Sequence, residues 1–127
     1  MIDIQKQISY LRNGAMKDLD FADRLIRRDK EIGYGLFFVH LALEKAFKVH
    51  VCKQTDQIPL RIHNLPALAQ IGKVNLTQEQ IDFCTKMNLY NIEGRYPDEH
   101  FPQPAPVKAE EYLEQARKLI EWLLNQL

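Results

Sequence analysis

Three polar side chains recur at every fourth position in a strongly apolar stretch, and these are the residues best placed to do chemistry. They are His40, Glu44 and Lys48. Residues four apart lie on one face of an α-helix, so the three should form a polar stripe. One interpretation is structural, with a Glu44–Lys48 ion pair and His40 satisfied by a backbone carbonyl. The other is a cleft in which an acid, a base and a cation meet an anion or a nucleotide, and both predict a buried or half-buried Glu44.

A second polar cluster consists of Arg61, His63 and Asn64. Asn64 is a good helix N-cap, and His63 directly precedes it. Holding that turn together is a sufficient role for His63, and a role in a binding site is an equal alternative. The spacing alone does not decide between them.

A third cluster contains Arg95, Tyr96, Asp98 and His100. A guanidinium can bind phosphate oxygens, an imidazole can transfer a proton and a tyrosine ring can stack on a base, which together are what a phosphodiester or nucleotide site needs. The structural alternative is that Arg95 complements a helix C-terminus and that Tyr96-Pro97-Asp98 forms a turn. Both alternatives stay open at this point.

The elements that position these clusters are predicted to be helices, because apolar residues recur at steps of three and four and no strand-like alternation of useful length is present. A capping box at Thr77 and Gln80 marks one helix start, and Gly33 with Gly35 is interpreted as a break before the helix that carries Glu44. Short connections favour an all-α, up-down bundle of four to five helices. The predicted helices run over 4–26, 36–52, 65–71, from 77 toward Gly94 and Pro97, and from 107 to 127.

Length and composition predict a single domain over residues 1–127, because the chain has an ordinary globular makeup of 46% hydrophobic and 27% charged residues. The formal net charge is zero, so any contact with nucleic acid must be local. Cys52 and Cys84 lack metal-binding spacing, and no apolar run is long enough to cross a bilayer. We therefore expect a cytoplasmic protein without a metal or other cofactor and without a membrane association.

Taken together, these residues resemble the HEPN family, in particular its short prokaryotic branch that accompanies minimal nucleotidyltransferases. The stretch from His40 to Lys48 resembles the central helix of that branch with its Glu-Lys pair. His63-Asn64-Leu65 resembles its Thr-His-Asp-Leu turn, and the stretch from Arg95 to Asp98 matches its Arg-Tyr-Pro-Asp segment. The resemblance covers nearly the whole chain and rests on the order and spacing of the segments.

The resemblance implies a helical bundle that forms a homodimer and binds a nucleotide or RNA, with a nucleotidyltransferase as a possible partner protein. The residues implied in binding are His40, Glu44, Lys48, His63, Arg95, Tyr96 and Asp98. The Arg-Tyr-Pro-Asp form resembles the non-nuclease branch, in which the domain binds a nucleotide or serves a partner enzyme. That is our leading interpretation.

The first alternative is a metal-independent endoribonuclease toxin of the toxin–antitoxin type. Catalytic members of the family carry an Arg followed after four to six residues by a His, and Arg95 and His100 satisfy this spacing. His100 would take the proton of the ribose 2′-hydroxyl, and Arg95 would stabilise the charge on the phosphate. Pro97 disfavours helical geometry at Tyr96, whereas the catalytic signature runs into a helix. A second alternative is a helical protein-interaction module without a ligand.

Overall fold

The computed structural model describes residues 3–59, 61–91 and 103–126, and these ranges contain helices and turns but no strand. The predicted all-α fold is therefore confirmed. A π-helical turn, Arg24–Arg28, extends the first helix, and a 3₁₀ turn, Asn88–Tyr90, follows the fourth. The five α-helices are α1 (Ile4–Asp23), α2 (Ile32–Thr55), α3 (Leu65–Ile71), α4 (Gln78–Met87) and α5 (Pro106–Asn125).

The helix α2 begins at Ile32, so the prediction that Gly33 and Gly35 break the chain before Leu36 was wrong. Both glycines are buried in the first turns of α2. A Cβ atom on Gly35 would lie 2.4 Å from Cγ1 of Ile26, which is far inside van der Waals contact. This glycine therefore serves the close packing of α2 against the turn that follows α1, and the break between the helices lies at Lys30, whose φ is 57°.

The predicted caps of α3 and α4 are confirmed. The Asn64 side chain accepts a hydrogen bond from the Ala67 backbone N–H at 3.1 Å, and Thr77 and Gln80 form a reciprocal capping box. The helix α4 ends earlier than predicted, at Met87, and the 3₁₀ turn carries the chain on to Tyr90. Gly94 and Pro97, the predicted stops, lie outside the described residues.

The centre of the bundle is α2, which packs against each of the other four helices. This explains why its sequence is apolar almost all round. The His50 ring donates a hydrogen bond from Nε2 to the carbonyl oxygen of Leu123 at 2.7 Å, which ties α2 to α5. Across the described ranges, no helix is both long and apolar enough to span a membrane. The predicted apolar seam of α5 is buried over Ala109, Leu113, Ala116, Ile120 and Leu123.

Four basic residues follow α1 and are exposed: Arg24, Arg27, Arg28 and Lys30. Acidic residues are interleaved with them in the sequence, and mixed charge at helical spacing is typical of a solvated surface. Arg27 makes hydrogen-bonded ion pairs with Glu110 at 3.1 Å and with Glu114 at 2.6 Å, both on α5. These pairs are substantially exposed, so each contributes little to stability. Because Arg27 is paired with two carboxylates, this surface is not a basic patch of the kind that binds nucleic acids.

Candidate functional site

The polar stripe of α2 lies inside the bundle. His40 is 1% exposed and Glu44 is 5% exposed, and these are the buried polar or charged residues among the described part of the chain. The Lys48 side chain, one turn further along, is 14% exposed. A carboxylate at this depth must be paired and hydrogen bonded, because an isolated charge in an apolar interior is very costly.

Both oxygen atoms of the Glu44 carboxylate are bonded. Oε1 accepts a hydrogen bond from Nδ1 of His63 at 2.9 Å, and Oε2 accepts one from Nζ of Lys48 at 2.9 Å. Since a carboxylate only accepts, Nδ1 of His63 must carry the proton in this bond. Glu44 therefore fixes the orientation of the His63 ring and holds Lys48 beside it. We call His40, Glu44, Lys48 and His63 the polar cluster.

His40 contacts the backbone of the turn that carries His63. Its Nε2 atom donates to the backbone carbonyl of His63 at 3.0 Å, whereas its Nδ1 atom lies 3.9 Å from Glu44 Oε1, too far for a hydrogen bond. Burial is the largest effect on this imidazole, and it lowers the pKa of His40 below the usual histidine value. His40 therefore holds the His63 turn, and its bond to a backbone carbonyl is the contact that the structural interpretation predicts.

The turn that carries His63 is fixed by an asparagine that the sequence reasoning missed. Asn88, at the end of α4, accepts a hydrogen bond through Oδ1 from the Leu65 backbone N–H at 3.1 Å. A hydrogen bond with the Asn88 side chain also raises the pKa of His40, in opposition to burial. Nothing in the local pattern around Asn88 could have revealed this role, because it depends on the packing of α4 beside α3.

The structure thus brings together four of the predicted site residues. His63 comes from the turn before α3 and is 31% exposed, so the cluster extends from the buried Glu44 to the surface. Arg61 lies in the same turn and is exposed. Arg95, Tyr96, Asp98 and His100 lie outside the described residues, so their predicted roles stay predictions.

The chemistry available to the cluster follows from these bonds. An imidazole whose Nδ1–H is bound to a carboxylate can use Nε2 to accept a proton or, when doubly protonated, to donate a hydrogen bond to an anion. The Lys48 ammonium balances the Glu44 carboxylate, so the pair carries no net negative charge that would favour a cation. The arrangement therefore suits recognition of a phosphate better than recognition of a cation.

Comparison with known proteins agrees with this architecture. The HEPN domain family matches the chain over residues 8–127. The chain therefore belongs to the HEPN family, whose members are generally nucleotide-binding or related to ribonucleases. No curated protein and no solved structure matches the chain significantly.

Proposed function

We propose that this chain is a nucleotide-binding accessory domain of the HEPN family, and that the polar cluster contacts a phosphate group of its ligand. The observation that carries the proposal is the buried Glu44 carboxylate, bonded on one oxygen to His63 and on the other to Lys48. Replacing a buried ionic group by apolar side chains is often neutral or stabilising, so stability alone does not explain an ionic cluster on an otherwise apolar helix. A functional role for the cluster does explain it.

In this proposal the four residues have different tasks. His63 is the direct contact, because it is the most exposed member and its ring is oriented by Glu44. Lys48 contributes positive charge next to it, and His40 positions the His63 turn without touching the ligand. On the strength of the family resemblance alone, we expect Arg95 to be a second phosphate contact, Tyr96 to be a stacking surface and Asp98 to be a further residue of the site.

The biological setting is part of the same proposal. We expect a cytoplasmic homodimer that works with a nucleotidyltransferase partner protein. Co-purification of this chain with a nucleotidyltransferase encoded beside it would support the partnership. Failure of the two purified proteins to associate, with or without nucleotide, would count against it.

Isothermal titration calorimetry against a panel of nucleoside mono-, di- and triphosphates tests the binding proposal. The wild type should bind at least one of them, and His63→Ala should weaken that binding about tenfold or more, because a charge-assisted hydrogen bond to the phosphate is lost. Lys53→Ala, an exposed lysine on the same helix, is the matched control and should leave binding unchanged. No binding by the wild type would leave only the partner-protein role, and unchanged binding in His63→Ala would remove the cluster from the site.

The endoribonuclease alternative is favoured by one observation, the Arg95 to His100 spacing. Incubation of structured and single-stranded RNA with the protein in EDTA tests it. Cleavage by the wild type that disappears in His100→Ala would establish this alternative. Equal cleavage by both proteins would remove His100 from the mechanism, and absence of cleavage would leave the binding proposal in place.

A further inference from the structure

A glycine lies in the interior of α1, where it is the least favourable residue after proline. It is Gly14. A Cβ atom at this position would lie 3.1 Å from Cδ and 3.3 Å from Nζ of Lys45, and both distances are tighter than ordinary van der Waals contact. Gly14 therefore lets the Lys45 side chain of α2 lie directly against the surface of α1.

The Lys45 ammonium is held beside a carboxylate that is itself largely buried. Its Nζ atom lies 2.7 Å from Oδ2 of Asp18, and the two side chains are 25% and 14% exposed. Within the described ranges this Oδ2 atom is buried and accepts no hydrogen bond, so the contact is an ion pair without hydrogen-bond geometry. The three N–H donors of the ammonium are therefore not committed to Asp18.

A pocket with a volume of 320 Å³ lies over this ion pair, between α1 and α2. It is lined by the three residues just described and by Tyr10, Asn13 and Lys17, which are exposed on α1. Its size is at the lower end of the range of about 300–1,000 Å³ that is typical of small-molecule sites. Two lysines and one aspartate give the lining one net positive charge. The pocket shares no residue with the polar cluster.

We propose that this pocket is a second ligand site, which binds the phosphate group of a small phosphate ester. The ammonium groups of Lys17 and Lys45 bind the phosphate oxygens as charged donors, and the Asn13 amide donates a further hydrogen bond. The Tyr10 side chain, which is 68% exposed, offers a ring face to the organic part of the ligand. Tyr10, Asn13 and Lys17 follow one another at helical spacing, so they lie on the same face of α1.

Stability alone does not explain this arrangement. A largely buried ion pair is often no more stabilising than apolar side chains of the same volume, and a glycine weakens the interior of a helix. Both features occur at the same point of α1, and both hold the Lys45 ammonium beside an open pocket. A ligand that accepts hydrogen bonds from this ammonium accounts for both.

Isothermal titration calorimetry with ribose 5-phosphate tests the site. The wild type should bind this ester saturably, and Lys17→Ala should weaken the binding about tenfold or more, because one charged donor is lost. Lys6→Ala, which removes an exposed lysine of α1 outside the pocket, is the matched control and should bind as the wild type does. No binding by the wild type, or binding that Lys17→Ala does not weaken, would overturn the inference.

Two further titrations identify the site and the ligand class. His63→Ala should leave the affinity for ribose 5-phosphate unchanged, and loss of binding in this variant would assign the ester to the polar cluster instead. This arm keeps a failure here distinct from a failure of the nucleotide site proposed above. Inorganic phosphate should bind more weakly than the ester, because only the ester contacts Tyr10. Inorganic phosphate that binds as tightly as the ester would overturn the assigned ligand class.

Gly14→Ala separates a binding role from a purely structural one. Alanine is the better helix former, and the atoms nearest to its Cβ all belong to the flexible Lys45 side chain. The variant should therefore unfold at the same temperature as the wild type or at a higher one. Its affinity for ribose 5-phosphate should fall about tenfold or more, because Lys45 is displaced. Unchanged affinity in this variant, at any thermal stability, would overturn the inference.

Discussion

Replacing Glu44 by Gln perturbs the polar cluster with almost no change in shape. An amide has one acceptor oxygen and one donor nitrogen, whereas the carboxylate accepts from both His63 and Lys48. In one orientation the amide nitrogen faces the Lys48 ammonium, and two donors meet. In the other orientation the amide oxygen accepts from Lys48, but the ammonium still loses its counter-ion. Either orientation leaves an uncompensated charge that is largely out of water.

The structure allows the size of this effect to be worked out. Removing one partner from a buried ion pair costs about 3–5 kcal/mol, and Glu44 is only 5% exposed, so solvent screens the interaction little. We expect the lower end, about 3 kcal/mol, because Lys48 retains some access to water. Unfolding entropy is about 2.1 cal/mol/K per residue near 60 °C, so for 127 residues the same loss lowers Tm by roughly 11 °C.

Urea denaturation gives the free energy of unfolding directly. Circular dichroism is the suitable signal, because it monitors the loss of helix in the whole bundle. The matched control is Glu121→Gln, an exposed carboxylate on α5, for which the change should stay within about 0.5 kcal/mol. If Glu44→Gln also stayed within about 0.5 kcal/mol of the wild type, the pairing described for this carboxylate would be refuted. If it destabilised the fold while nucleotide affinity remained intact, Glu44 would be a structural residue only.

Three further predictions follow from single features of the bundle. Because burial lowers the pKa of His40, the unfolded chain binds more protons just below the usual histidine pKa. The free energy of unfolding should therefore fall as pH drops below about 6.5, by at most about 1.4 kcal/mol per pH unit. Denaturation series from pH 8 to pH 5 measure this slope, and His40→Gln should flatten it. A slope that is the same in His40→Gln would contradict its assignment to the lowered pKa of His40. Gly35→Ala should lower stability by about 1–3 kcal/mol because its Cβ meets Ile26, and the extra cost should shrink in an Ile26→Ala background; additive effects in the double variant would argue against this contact. Burial raises the pKa of Cys84 to about 12 and also raises that of Cys52, so neither thiol should react with a disulfide reagent at pH 8 until urea unfolds the chain, and rapid reaction of the native protein would disagree with their burial.

The parts of the fold that depend on local sequence were predictable, and the parts that depend on tertiary packing were not. Asn64 and Thr77 cap their helices through neighbours three residues away, so their roles are visible in the sequence. Gly35 carries the same local signal as a loop glycine, but its role is set by Ile26 on the preceding element. The prediction of a break failed because close helix packing and chain reversal both select glycine.

The same distinction holds for the polar cluster. The alignment of His40, Glu44 and Lys48 follows from the helical repeat, and burial of Glu44 was predicted on either interpretation of the stripe. The bond between Glu44 and His63 spans 19 residues of sequence and depends on how the loop after α2 folds back. The contact of Asn88 with Leu65 depends on packing between helices and carries no sequence signal of its own.

The central claim, that the polar cluster contacts a nucleotide phosphate through His63, is tested most directly by NMR of the imidazole nitrogens. The chain has four histidines, so long-range ¹H–¹⁵N spectra can follow each ring while nucleotide is added. We predict that Nε2 of His63 shifts saturably with the affinity measured by calorimetry, while the buried His40 ring changes little. Saturable binding that leaves the His63 nitrogens unmoved would contradict the claim.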